Sequence, residues 1–383
     1  MPRAPRSSST TTAAGISSRA QRTGAGGWDL SEAAGDLDAD YETLGVLGRG
    51  NFSEINLMRH RQTGELRALK FCCKLDGPSY FHLRAEAQLA ARVSRNPFVL
   101  TPLAISDSPG RAGNYSVLLP LCPGGDLLQL LRRQPASSLS EPDARSYAGM
   151  ITLGLCALHD AGLAYRDLKP ENLLVRDNGY LCIADFGFCA PLAECRRQRL
   201  GTPMYQAPEL MRKQVHGVAV DWWALGCLLL EMVIGASPFH RDEESETEAA
   251  VLAHEADGPL PLPPPPPSAA AAAAGIDAGG EAGAAATLAG NGQEGAASSE
   301  SSPPPPPSPS AALASLCGRL LHPEASERLG ASGLKAHEWF AGFDWDACLA
   351  MTTPAPWAPP PLDPKDADGT LIELTARCQQ GFD

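Results

Sequence analysis

Alternation of apolar and polar residues predicts a strand-rich start to the folded part of the chain. The residues between the first two predicted strands, 48–53, are glycine-rich, and a turn is expected at Gln62-Thr63-Gly64. Apolar positions then recur at helical spacing before the alternation returns. The predicted strands are 41–47, 54–58, 66–71 and 114–119, and the predicted helix is 80–93. This pattern is typical of a small β-rich unit with one helix.

The following residues are mainly helical in pattern. Glu141 to Gly162 predicts a long amphipathic helix that ends at a glycine. Residues 173–175 and 180–184 flank an Asn178-Gly179 turn, which predicts a β-hairpin. A β-rich segment followed by a mostly helical one indicates an α+β fold.

Composition limits the number of domains. The chain has 383 residues, and much of its content of 35 Pro and 37 Gly lies in tracts that cannot build a core, so we expect one large folded unit. Residues 1–40 are expected to be a disordered Ser/Thr-rich segment. The alternative is an organelle transit peptide within residues 1–25, because arginines occur there and no acid precedes Asp29.

Residues 258–310 form a second low-complexity segment, expected to be a disordered insertion between two helices. Its proline runs have two interpretations, a ligand for an SH3- or WW-like module or an inert expansion, and we favour the second.

Charge and cysteine content restrict the partners and the compartment. A net charge of −13 argues against nucleic acid and favours basic partners. Eleven cysteines without a Cys-x-x-Cys pair indicate reduced thiols, and hence a cytoplasmic protein. The most apolar run, 220–236, contains Asp221 and Glu231, so no transmembrane segment is expected.

The candidate chemistry lies in two motifs. Tyr165 to Asn172 reads Tyr-Arg-Asp-Leu-Lys-Pro-Glu-Asn, and Asp185-Phe-Gly follows, then Ala207-Pro-Glu. In phosphoryl transfer an aspartate accepts the hydroxyl proton, a lysine neutralises the moving phosphoryl group, and Asn and Asp oxygens hold Mg²⁺ on the nucleotide. Asp167, Lys169, Asn172 and Asp185 are the matching residues. The motifs in this order predict a phosphotransferase that uses ATP and Mg²⁺.

The glycine-rich hairpin and a lysine add a phosphate-binding element. Gly48-x-Gly50 lets backbone amides approach phosphates because no Cβ intervenes, although the same residues would suit an ordinary β-turn. Lys70 follows, and Glu86 is the one acid of the predicted helix 80–93. We expect these two to form an ion pair that holds the lysine, the alternative being a solvated glutamate.

These motifs together resemble the AGC group of eukaryotic serine/threonine protein kinases, in particular the cAMP- and cGMP-dependent kinases. The resemblance covers roughly 41–346 apart from the insertion, and it rests on the motifs already named and on 201–205 (Gly-Thr-Pro-Met-Tyr), 221–226 (Asp-Trp-Trp-Ala-Leu-Gly), 327–330 (Glu-Arg-Leu-Gly), 337–340 and 342–345. It implies a bilobal kinase fold over 41–340, with a small lobe 41–119, a hinge 120–123 and a large lobe 124–340. Residues 341–383 would be an AGC-type tail, although the Asn-Phe-Asp and Phe-x-x-Phe motifs are missing.

The resemblance also assigns roles by position. The catalytic set would be Asp167, Lys169, Asn172 and Thr202, and the metal ligands Asn172 and Asp185. The ATP-binding set would be Leu47, Gly48, Gly50, Phe52, Ser53, Ile55, Ala68, Lys70, Glu86, Leu119 and Leu121. Asp126, Glu171 and Glu231 would bind arginines upstream of the acceptor. The alternative is that Asp126 and Glu171 favour helix or loop ends and that Glu231 is a solvated helix residue. Asp221 would anchor the catalytic loop, and Arg328 would pair with Glu209.

Departures from the family pattern concern regulation. The segment 189–200, where AGC kinases carry a phosphorylated threonine, contains no Ser, Thr or Tyr, and Gln198 stands at that position. We therefore expect Arg166 to use the Gln198 amide or Glu194 in place of a phosphate. No cyclic-nucleotide module precedes the domain, so cyclic-nucleotide control would need a separate regulatory subunit. The alternative to an active kinase is a pseudokinase acting as a scaffold.

Overall fold

The structure of the chain is a computed structural model. It describes residues 21–22, 28–29, 37–49, 53–72, 77–93, 95–106, 115–256, 258–260, 309–363, 369–371 and 374–375. Gly50, Phe52, most of 1–40 and most of 258–310 lie outside these residues. Two compact units are present: the first contains 1–95, 100–121 and 361–379, and the second 96–99, 122–360 and 380–383.

The first unit is built on an antiparallel sheet. Its elements are β1 (Gln21–Arg22), β2 (Trp28–Asp29), α1 (Leu37–Asp40), β3 (Tyr41–Arg49), β4 (Glu54–His60), β5 (Leu66–Cys72), α2 (Pro78–Ala91), β6 (Ala104–Ser106) and β7 (Tyr115–Pro120). The main sheet has five strands in the order β3-β4-β5-β7-β6, and β1 pairs separately with β2. The predicted strands and helix of this region are confirmed to within a few residues.

One face of this sheet carries the core of the unit. Side chains two residues apart in a strand point to the same face, so Leu66, Ala68, Lys70 and Cys72 of β5 share it. Helix α2 packs against β5 and β7. Its Tyr80 and Leu83 form an apolar cluster with Cys72 and with two residues of β7, Tyr115 and Val117.

The second unit is mainly helical. Its elements are α3 (Leu127–Arg132), α4 (Glu141–Asp160), β8 (Leu163–Ala164), β9 (Leu173–Val175), β10 (Leu181–Ile183), β11 (Ala190–Pro191), α5 (Pro208–Met211), α6 (Ala219–Ile234), α7 (Glu244–Leu252), α8 (Ala311–Leu320), α9 (Ala331–Lys335) and α10 (Trp345–Leu349). β9 pairs antiparallel with β10, and β8 with β11. Within the described residues, no helix is long and apolar enough to cross a bilayer.

Two helices form the centre of this unit. Every residue of α6 from Val220 to Ile234 is buried, as expected for a helix that is apolar on all sides. Helix α4 packs against α6, and α6 also packs against α8. Helix α6 ends at Gly235, whose φ of 89° is a left-handed conformation that glycine adopts without steric cost.

The predicted hairpin positions the residues that follow it. Leu181 of β10 pairs with Val175 of β9, and Gly179 in the turn has a φ of 83°. The main chain beyond β10 is held to the end of the preceding loop, because Ala184 N donates to Asn172 O at 2.8 Å. The segment Ala184–Asp185 is therefore fixed beside Asn172.

Candidate active site

The first unit contains the predicted lysine–glutamate pair. Lys70 Nζ lies 2.7 Å from Glu86 Oε1 and 2.8 Å from Oε2. The two side chains are 16% and 15% exposed, so the pair is partly shielded from solvent. β5 supplies the lysine and α2 the glutamate, and the packing of α2 on β5 fixes the distance between them.

An apolar surface occupies the same face of the sheet beside Lys70. It contains four of the residues predicted to bind ATP, together with residues of the C-terminal tail: Leu47, Ile55, Ala68 and Leu121 cluster with Leu362, Leu371 and Leu374. Leu374 is only 3% exposed. The tail residues therefore complete this surface although the tail lacks the expected aromatic motifs.

Three further predicted ATP-binding residues are described in this unit: Leu119, Gly48 and Ser53. Leu119 packs on the neighbouring cluster of Tyr80 and Val117. Gly48 pairs with Ile55 across β3 and β4, and Ser53 immediately precedes β4.

The catalytic-loop residues of the second unit form one hydrogen-bonded group. Asn172 Nδ2 donates to Asp167 Oδ2 at 2.8 Å and to Asp167 O at 2.9 Å. Lys169 Nζ lies 3.1 Å from Asp167 Oδ2 and donates to Thr202 Oγ1, also at 3.1 Å. Burial raises the pKa of Asp167, while Lys169 and Asn172 oppose that rise. The lysine thus joins the predicted proton acceptor to Thr202.

A buried aspartate holds the backbone of this loop. Asp221, fully buried at the start of α6, accepts from Tyr165 N at 3.0 Å and from Arg166 N at 2.7 Å. Its Oδ2 is also 2.8 Å from His159 Nε2. Arg166 has a φ of 70°, a conformation that is rare for a non-glycine residue and that these bonds stabilise. The predicted anchor is present.

Asp185 stands just beyond β10 with its carboxylate exposed. Its φ is 51°, and its Oδ1 accepts from Gly187 N at 3.2 Å. The next residue, Phe186, is buried with its ring edge against Tyr165 at 5.8 Å between centroids. Because the Asn172 amide nitrogen donates to Asp167, its amide oxygen is the atom that would coordinate a metal ion. The two oxygen donors of Asn172 and Asp185 suit Mg²⁺, which prefers such ligands.

Three acids predicted to bind substrate influence one another in the second unit. Asp126 caps α3 by accepting from Gln129 N at 2.8 Å, and burial raises its pKa to about 6. Glu231 on α6 is buried and accepts from Tyr205 OH, and burial raises its pKa to about 7. The negative charge of the exposed Glu171 raises the pKa of both. The alternative of a solvated helix residue is wrong for Glu231, whereas Asp126 does stand at a helix end, as its alternative had it.

The environment of Arg166 differs from the prediction. Its Nε donates to Phe188 O at 2.7 Å, and its Nη1 lies 3.3 Å from His216 Nε2. Among the described residues, Gln198 and Glu194 are not its partners, so that expectation is wrong. The carbonyl of Phe188, one residue beyond the Asp185-Phe-Gly motif, accepts a hydrogen bond from the guanidinium instead. Burial and the Arg166 charge lower the pKa of His216, which keeps its ring neutral beside the guanidinium.

The sequence did not predict three contacts: His216 with Arg166, Tyr205 with Glu231, and Arg199 with Glu244 and Glu248. Tyr205 and Glu231 are far apart in sequence, and nothing in the local pattern of either residue signals their contact. The predicted pair Glu209–Arg328 is present, with Nη1 to Oε1 at 2.7 Å and Nη2 to Oε2 at 3.1 Å.

Comparison with known proteins agrees with this geometry. The family model for the protein kinase domain matches residues 41–340, so the chain belongs to the protein kinase family. A "cAMP-dependent protein kinase, catalytic subunit-like" protein of Caenorhabditis elegans is 28% identical over 86% of this chain and 71% of its own. Mouse serine/threonine-protein kinase N3 is 36% identical over 58% of this chain, and human protein kinase C eta type 34% over 56%. The alignments cover 25% and 32% of those two longer relatives.

These relatives are AGC-group serine/threonine kinases, and the chain is a protein serine/threonine kinase of that group with the bilobal kinase fold. Protein kinase domains act on protein substrates with ATP and Mg²⁺.

Proposed function

We propose that this kinase phosphorylates Ser or Thr residues that are preceded by arginines. We also propose that it does so without a phosphate on residues 189–200, here called the activation segment. The cluster of Asp126, Glu171 and Glu231 carries the first part. Glu231 is buried and Asp126 is partly buried, and neither carboxylate has a positively charged side chain at hydrogen-bond distance among the described residues. Burial raises the pKa of both. A substrate guanidinium would supply the charge in bidentate geometry.

The proposed roles follow the arrangement of each unit. Asp167 takes the proton of the acceptor hydroxyl, and its hydrogen bond from Asn172 fixes the direction of its carboxylate. Lys169, between Asp167 and Thr202, neutralises charge developing on the transferred group. Asn172 and Asp185 would hold Mg²⁺, which supplies charge neutralisation on the nucleotide phosphates. Lys70, oriented by Glu86, binds phosphate oxygens, and the apolar surface around Ala68 receives the adenine.

Peptide preference tests the substrate class. Peptides with Arg two and three residues before the acceptor should exceed those with Glu there by at least about tenfold in kcat/KM, equivalent to about 1.4 kcal/mol. The preference should collapse in Glu171→Gln/Glu231→Gln. Glu338→Gln, which alters an exposed acid of the same unit, is the matched control and should keep the preference. An unchanged preference in the double variant would place selectivity elsewhere.

The contacts of Arg166 support the second part. Phe188 O and the neutral His216 ring receive its hydrogen bonds, so its desolvation is offset without a phosphate. Bacterially produced protein treated with phosphatase should therefore turn over at the usual rate of about 1 to 100 s⁻¹. Turnover below about 0.01 s⁻¹ would favour activation by a partner or a scaffold role. The regulatory subunit and cytoplasmic localisation stay predictions.

A further inference from the structure

Arg199 links the activation segment to a helix distant in sequence. Its Nη2 lies 2.8 Å from Glu244 Oε1, and its Nη1 lies 2.9 Å from Glu248 Oε2. The two glutamates are one turn apart on α7, so both project to the same side of the helix. The guanidinium uses one nitrogen for each carboxylate and spans the gap between them.

The anchored residue lies close in sequence to the catalytic group. Gly201 O accepts from Gln206 Nε2 at 2.7 Å, and Thr202 Oγ1 accepts from Lys169 Nζ at 3.1 Å. Arg199 therefore fixes the chain two residues before the glycine that leads into Thr202. Arg199 is thus three residues before Thr202, the partner of Lys169.

Helix α7 is a firm attachment point for this segment. It packs against the turn Pro203–Tyr205 and against α5, and its Val251 is fully buried. The Arg199 side chain is 27% exposed, that of Glu248 is 32% exposed and that of Glu244 is 67% exposed. Exposed ion pairs contribute little singly, but one arginine shared by two carboxylates forms a small network of better-defined geometry.

We propose that Arg199, with Glu244 and Glu248, is a positioning group that anchors the activation segment to α7. These ion pairs hold the segment in place, as a phosphate on it would. The inference rests on the proposed phosphate-independent activity. The sequence is consistent with ion pairs in place of a phosphate, because the segment 189–200 has no hydroxyl side chain but contains Arg196, Arg197 and Arg199.

The test compares Arg199→Ala with Arg197→Ala as matched control. Arg197 is an exposed arginine of the same segment with no ion pair among the described residues. Phosphatase-treated proteins are assayed for kcat, KM for peptide and KM for ATP, and hydrogen exchange is followed over 189–202. Arg199→Ala should lower kcat/KM for peptide about threefold to tenfold and speed exchange in this segment, with KM for ATP and the melting temperature unchanged.

Charge reversal separates the ion pairs from loss of side-chain packing. Arg199→Glu should lose more activity than Arg199→Ala because it faces two like charges. Adding Glu244→Arg and Glu248→Arg should restore kcat/KM to within about threefold of wild type. Arg199→Lys, which reaches one carboxylate at a time, should be intermediate.

Two results separate this inference from the proposed function. If wild type is active and Arg199→Ala matches Arg197→Ala in rate and in exchange, the anchor is overturned. If phosphatase-treated wild type is inactive but Arg199→Ala still speeds exchange over 189–202, the anchor stands and phosphate-independent activity fails. Lack of rescue by the reversed charges also counts against the anchor.

Discussion

Replacing Arg328 by Met should lower the stability of the second unit strongly. Its effect on the catalytic contacts should be small by comparison. The Arg328 side chain is fully buried, and the Glu209 side chain is 8% exposed. The guanidinium also donates to Ala219 O at 2.8 Å and to His322 O at 3.0 Å, and its carbon lies 5.2 Å from the centre of the Trp223 ring. A third, longer hydrogen bond runs to Pro323 O at 3.5 Å, so the substitution removes the arginine donor from a buried carboxylate and from three carbonyls.

The expected cost follows from the orphaned charge. Removing one partner of a buried ion pair costs about 3 to 5 kcal/mol, most of it the desolvation of the charge that remains. For a unit of this size, each kcal/mol shifts the melting temperature by roughly 2 to 4 °C, so a fall of roughly 6 to 20 °C is expected. Arg328→Met/Glu209→Leu removes both charges and should recover at least half of the loss.

Calorimetry of the purified full chain measures these shifts. Arg49→Ala, which breaks the exposed pair with Glu54 at 2.8 Å, is the control and should change stability by less than about 1 kcal/mol. If Arg328→Met melts within 2 °C of the control, as a roughly 1 kcal/mol effect would, the buried-charge argument is wrong. A large loss in the double variant equal to that of the single variant would also contradict it, because packing and not charge would then dominate.

Three further predictions follow from the site. Asp185→Asn should reduce turnover below about a tenth of wild type at saturating Mg²⁺ with an unchanged melting temperature, because this carboxylate is exposed and serves no core contact; a higher residual rate refutes its metal role. The preference for arginine-containing peptides should strengthen from pH 6 to pH 8, because Glu231, with a pKa raised to about 7, becomes charged over that interval. Glu231→Gln should remove most of this dependence of the preference on pH, and an unchanged dependence in that variant would assign the titration to another group. Deleting 263–308 should leave melting temperature and peptide kinase activity within error of wild type, since loop length adds little entropic cost and the flanking contact of Ser310 Oγ with Glu141 Oε2 at 2.8 Å is retained; loss of soluble expression would show that the segment packs.

Local chemistry made much of this fold and site predictable. Alternation and turn residues marked the strands and the hairpin of β9 and β10, because strand and helix periods are written directly into side-chain polarity. The motif residues Asp167, Lys169 and Asn172 lie close together in sequence, so their grouping needed no long-range information. The Lys70–Glu86 pair was predicted from the lysine after the glycine-rich hairpin and the one acid of the next helix. The Glu209–Arg328 and Asp221 contacts came from family resemblance, which encodes tertiary positions that the residues alone do not.

Only the tertiary structure decided the contacts where this chain departs from its family. Arg166, whose backbone N–H is bound by Asp221, contacts Phe188 O and His216 and not Gln198. Arg199 found Glu244 and Glu248 through the packing of α7 on the turn that follows the segment. The tail leucines reached the sheet beside Ala68 although no motif marks them. Such contacts join residues far apart in the chain, and their geometry depends on how whole elements pack, which periodicity and composition do not specify.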